Sequence, residues 1–204
     1  PLYSSAASDV YKRQVQEDFR ALAQIEEDIF SSPKKSIKNR IFWLSINLFT
    51  AIIAAASINL FADVFEKVIY AAVLMPIVAS MGGIAATQTL GIYIRAEAMR
   101  KLSKKNFRYL FRREFIVSIV NAIFFSIFIF GITYFWFSDY NLAIAISIAM
   151  ILNLIMAAVG GFLLPYILRN IGYDPAISGG VIITTITDLI GFVTFLGIVS
   201  FLVV

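Results

Sequence analysis

Neither cysteine nor histidine occurs anywhere in the 204 residues. Their absence removes disulfide frameworks, thiolate and imidazole metal sites, Ser-His-Asp triads and HExxH zinc chemistry within the chain. Charge is scarce too: 15% of residues are charged against 60% hydrophobic, more apolar side chain than a soluble domain of this length can bury. The chain therefore reads as an all-α integral membrane protein whose function must run on carboxylates, hydroxyls, amides and backbone. A net charge of +4 raises nucleic acid as a partner, but the cations stand beside the apolar segments, as they do at a membrane surface.

Residues 1–14, PLYSSAASDVYKRQ, have no initiator methionine and no periodicity, and are read as a non-native or disordered leader. Residues 15–40 follow as an acidic amphipathic helix, with Phe19, Leu22, Ala23, Ile25, Ile29 and Phe30 near helical spacing, and a basic collar of Lys34, Lys35, Lys38 and Arg40. Residues 41–204 then carry five apolar segments, at 41–62, 69–94, 115–137, 141–168 and 179–204. Each is long enough for the roughly 20 residues that cross about 30 Å of hydrocarbon. Proline and glycine in the second and fourth predict tilt or a kink. With the amino end cytoplasmic, the collar, the loop from Arg95 to Arg113 and Arg169 all fall inside, and only Lys67 falls outside. That asymmetry predicts amino end in and carboxyl end out.

The fifth segment contains GGVIITTITDLIGF, residues 179–192, in which Asp188 has no lysine or arginine within ten residues. On a helical wheel Gly180, Thr184, Thr187, Asp188, Gly191 and Thr194 share one face. A stripe of small residues alone implies helix packing. A carboxylate at membrane depth, costing roughly 2.5–3.5 kcal/mol on insertion scales, implies a pathway, a partner or a proton. The second segment offers Pro76, Gly83, Thr87 and Gly91 in register, with Ser80 and Gln88 beside them, and the fourth offers Asn153, Ala157, Gly160, Gly161 and Pro165. Three such stripes, one bearing an acid, make a pore wall with packing as the competing reading. Ser45, Asn47, Thr50, Ser118, Asn121 and Ser126 of the first and third segments are expected to make interhelical hydrogen bonds.

Oxygen ligands alone favour hard cations such as Mg²⁺ or Ca²⁺. One carboxylate leaves a divalent ion half neutralised, so a twofold pair of chains supplies the second. An intramembrane enzyme would need paired acids or histidines and is set aside. A proton-coupled or broader-specificity carrier of Mn²⁺, Co²⁺ or Ca²⁺ and a non-transporting assembly subunit stay open. The basic stretch 95–113, with Phe107, Tyr109 and Phe111 interleaved, suits an interfacial helix against anionic lipid better than it suits nucleic acid.

The segments PIVASMGGIAATQ (76–88), LLPYILRNIGYDPA (163–176) and ITTITDLIGF (183–192), in that order, are similar to motifs of the MgtE magnesium channels/transporters, and the chain resembles their membrane domain from about residue 16 onward. EDFRALAQIEED looks like the family's plug helix. The resemblance implies a homodimer of five-helix subunits in the plasma membrane, with hydrated Mg²⁺ passing at the dimer interface. It places the ion-binding aspartate on Asp188, neighbouring pore-lining backbone on Thr184 and Gly180, and the second-helix glycines on Gly82 and Gly83. Thr185, Thr187, Gly191, Thr87, Gln88 and Asn153 complete the expected pore lining. The chain departs from the family pattern at Ile84, where asparagine is usual, and at Ala86, where glycine is usual. The family's cytoplasmic regulatory part has no counterpart in the 40 residues ahead of the first span. The sequence is thus expected to be a piece of a longer protein or a member without Mg²⁺-dependent closure by that part.

Overall fold

The computed structural model describes residues 32–172 and 175–203. The expected leader and most of the expected plug-like helix lie outside those residues. The described chain is helical: α1 Pro33–Asn59, the short α2 Ala62–Lys67, α3 Tyr70–Ala98, α4 Lys104–Phe137, α5 Tyr140–Asn170 and α6 Pro175–Leu202. All but α2 are long and apolar enough to cross a membrane.

Local signals set several boundaries. Pro33 opens α1 in its first turn, where a missing N–H costs nothing. Ser103 caps α4, its hydroxyl accepting from the Asn106 amide at 3.3 Å. Ser138, in the left-handed region (φ 52°), closes α4, and the Asp139 side chain accepts from the Leu142 amide at 3.0 Å to open α5. Those two residues fold α4 back on α5. The third apolar segment thus starts eleven residues earlier than hydropathy indicated. The basic stretch is mostly helix, because Phe107 and Phe111 pack on Phe162 of α5 at ring distances of 4.9 and 5.6 Å and continue α4 beyond the apolar run.

The α5 helix is the centre, packing on α3, α4 and α6, while α1 leans mainly on α6. Small residues allow this: Ala143, Ala145, Ala149 and Ala157 are fully buried. At Gly161 the backbones are so close that a methyl group would lie 2.5 Å from the Ala86 carbonyl oxygen. Leu74, Val78, Ile146, Met150, Phe195, Leu196 and Val199 fill the space between α3, α5 and α6. The outer sides of α1 and α4 expose large apolar residues such as Phe42, Phe49, Phe124 and Phe128, as lipid-facing surfaces do. The Ser118 hydroxyl donates to the Leu154 carbonyl at 2.6 Å across α4 and α5, the expected interhelical bond. Ser126 donates within its own helix to Ile123, while its carbonyl accepts from Ser147 of α5.

Candidate ion site on the seam between α3 and α6

The α3 and α6 helices run antiparallel, with Leu90 opposite Gly179, Gly83 opposite Thr184, and Val78 opposite Gly191. A methyl group at Gly83 would lie 3.6 Å from Thr184 Cγ2 and 4.0 Å from Thr187 Oγ1, ordinary contact distances, so Gly83 lies against these two side chains. One residue earlier, Gly82 turns to α5, where a methyl group would collide with the Asn153 carboxamide. Gly191 turns to the same side chain, at 2.9 Å from Nδ2. Asn153 is thus gripped between two glycines and donates from Nδ2 to the Val78 carbonyl at 2.8 Å. Its Oδ1 is buried without a partner.

These contacts divide the expected lining into two groups. Gly82, Gly191, Asn153 and Thr187 are buried inside the subunit, at contacts among α3, α5 and α6. For them the packing reading of the stripes describes what the side chains touch, because Asn153, entirely buried, fills the space that the two glycines leave. Gly83 and Gly180 are buried as well, Gly83 against α6. The second group lies past the Gly83–Thr184 contact. Each helix turns 100° per residue, and rotation away from α5 brings Thr184, Thr185 and Asp188 of α6 beside Ser80, Ile84, Thr87 and Gln88 of α3. Every one of these is partly or fully exposed. Ser80 stands nearest the level of Asp188. The sequence reading put it beside the stripe without placing it on the wall, and its spacing of eight residues from Gln88 is the signal that finds it.

The chemistry of this face follows from where the hydroxyl protons go. Thr184 donates to the Gly180 and Val181 carbonyls, each at 3.0 Å, and Thr185 donates to Val181 at 2.8 Å. Thr87 donates to Gly83 at 2.7 Å, and Thr187 donates to Ile183 and Thr184 at 3.0 and 2.9 Å. A threonine that gives its proton to its own helix presents only lone pairs outward. The Asp188 carboxylate has no hydrogen-bonding or ionic partner among the described residues. The seam therefore carries oxygen acceptors and one uncompensated acid. Among the described residues no three His, Cys, Asp or Glu side chains gather where they could hold a metal.

At the ends of α3 and α5 that share one side of the bundle, Arg169 forms an ion pair with Glu97. This tie links the ends of the two helices.

Known proteins are similar to this chain in sequence. A family model described as a divalent cation transporter, MgtE, matches residues 75–198, which contain both sides of the seam. The magnesium transporter MgtE of Bacillus subtilis (strain 168) is 31% identical over 194 residues, which are 94% of this chain and 43% of that protein. That of Enterococcus faecalis is 27% identical over 193 residues, covering 94% and 43%. That of Thermus thermophilus is 26% identical over 198 residues, covering 95% and 44%. The chain thus spans less than half the length of these relatives.

Proposed function

The chain belongs to the MgtE family of divalent cation transporters, and from that membership we propose that it forms half of a membrane pore for Mg²⁺. It is a multi-pass protein of the cell membrane, and its family is one of transporters, not enzymes. In this reading two copies meet across the open side of the α3–α6 seam. Each contributes the Asp188 carboxylate, and the pair neutralises a divalent ion that keeps most of its water. Thr184 and Thr185, with backbone near Gly180 and Gly83, shape the ring around it. Thr87 and Gln88 line the approach, and Asn153, Gly82, Gly191 and Thr187 hold the two helices at their spacing. The cation distribution supports an amino end inside and a carboxyl end outside.

The observation that carries the proposal is Asp188 itself, an acid without a hydrogen-bonding or ionic partner among the described residues, on a face that exposes acceptors. Mg²⁺ dehydrates reluctantly and is commonly held through its waters by one or two carboxylates. Water ligands donate hydrogens, and the hydroxyl lone pairs and carboxylates of this face accept them.

The test is growth rescue of a bacterium deficient in Mg²⁺ uptake at limiting Mg²⁺. The chain and its Asp188→Ala and Asp188→Glu variants are compared at equal membrane expression. The parent is expected to rescue, the alanine variant to fail and the glutamate variant to rescue in part. Equal rescue by the alanine variant removes Asp188 from the ion path. Uptake into vesicles that an imposed pH gradient drives in the absence of a membrane potential points instead to a proton-coupled carrier.

A further inference from the structure

The cationic start of α4 has no role in the ion seam. Lys105, Arg108 and Arg112 fall at i, i+3 and i+7, one face of the helix. With Tyr109, Phe111 and Phe115 they line an open cavity of about 660 Å³. The three cations are exposed, and none has an acidic partner among the described residues; Arg113 is the one that pairs, with Glu114 at 3.4 Å. The charges do not serve the helix, because cations in the first turns oppose its dipole. Nor is the face free to turn. Phe107 and Phe111, on the flank beside the cavity, pack on Phe162 and Tyr166 of α5, with ring distances of 4.9 to 5.6 Å.

Further along the same face, the basic side chains give way to Ile116, Val120, Ile123 and Ile127, exposed at 50 to 68%. A phosphate bound between Arg108 and Arg112 therefore has an apolar track leading away from it along α4. A free anion would use the first half of this surface and leave the second in contact with nothing of its own; a phospholipid uses both. We propose that this face of α4 is a binding site for an anionic phospholipid, its phosphate held by Lys105, Arg108 and Arg112 and an acyl chain laid along Ile116, Val120 and Ile123. Guanidinium forks suit phosphate oxygens in pairs, and basic pockets at the ends of membrane helices take acidic headgroups by this chemistry.

The experiment uses the chain in phosphatidylcholine nanodiscs containing a trace of spin-labelled phosphatidylglycerol or spin-labelled phosphatidylcholine, and reads the fraction of each lipid immobilised on the protein. The parent is expected to prefer phosphatidylglycerol. Arg108→Gln with Arg112→Gln is expected to remove most of that preference, each arginine counting for up to about fivefold. Arg108→Lys with Arg112→Lys is expected to keep part of it, and Arg100→Gln with Lys101→Gln, which removes equal charge elsewhere, to leave it within about twofold. Four results overturn the site: no preference in the parent, full preference in the double glutamine variant, equal loss in the Arg100/Lys101 control, or displacement of the labelled lipid by 10 mM inorganic phosphate or by single-stranded RNA. None of these readings depends on which ion crosses the membrane.

Discussion

Gly161 decides how closely α3 and α5 pack, and replacing it with alanine tests the seam through its scaffold. A methyl group there would lie 2.5 Å from the Ala86 carbonyl oxygen and 2.9 Å from Thr89 Cβ, where ordinary contact starts at 3.4 Å. The shortfall is about 0.9 Å, and neither neighbour is the end of a flexible side chain, so the helices themselves must separate. Overpacking of this kind costs about 1–3 kcal/mol, while alanine in place of glycine returns at most about 1 kcal/mol of helix propensity. A net loss of about 1–2 kcal/mol follows, or a midpoint lowered by about 2–8 °C for a chain of this size. Gly197 provides the contrast, since a methyl group there meets nothing within 4 Å, and Gly197→Ala is expected to be neutral or stabilising. Thermal unfolding of both purified variants in one detergent, followed by circular dichroism, reads the difference. Ala86 is three residues from Gly83, so separation at Gly161 also displaces α3 against Thr184, and Mg²⁺ uptake is expected to fall in the same variant. A Gly161→Ala protein as stable as the parent would refute the close approach and the order of helices built on it.

Thr184→Val keeps the shape of the side chain and removes the outward lone pairs. Uptake of Mg²⁺ is expected to fall several-fold, with stability lowered by no more than about 1 kcal/mol, as read by transport and melting on one preparation. Ile84 is 55% exposed on the seam where the family motif has asparagine. Ile84→Asn is expected to lower the half-saturating Mg²⁺ concentration, and an unchanged value would remove that position from the ion path. Thr133 is fully buried with an unpartnered hydroxyl. Thr133→Val removes an unpaired polar atom at constant shape, so a gain of about 1 kcal/mol is expected in the melting curve with transport unchanged.

Element number and type were legible because hydropathy reports them directly. The five apolar segments correspond to α1, α3, α4, α5 and α6, and the helices α1 and α4 start eight and eleven residues ahead of their apolar runs. In α4 an apolar-run criterion cannot see that two phenylalanines among arginines are enough to dock a helical turn on Phe162. The face bearing Asp188 was legible for the same reason, since spacing alone puts Thr184 and Asp188 together. The direction in which each glycine faces was not. Gly82 and Gly83 are adjacent in sequence and 100° apart on the helix, and which of them meets Asn153 and which meets Thr184 depends on where α5 sits. A single sequence leaves that open, so the stripe on α5 reads as wall or as packing, and its asparagine packs between glycines of α3 and α6.

The partition of hydrogens on the seam limits what the proposed pore can recognise. Each threonine has committed its only donor to its own backbone, so an anion on this face meets lone pairs and a carboxylate. The Gln88 amide and the Ser80 hydroxyl, which keep donors on this face, are the exceptions. Sign selection is thus built into the secondary structure itself, because a helical threonine with this back-bond is an acceptor whatever its neighbours do. Size selection is not. A dehydrated Mg²⁺ demands near-octahedral oxygen at about 2.0–2.1 Å, a close cage that the proposed pairing of one carboxylate per chain would have to build across two copies. A hexahydrated ion needs acceptors at hydrogen-bonding distance from its waters, a wider and more forgiving ring. On this argument discrimination among divalent ions rests on how firmly each keeps its waters.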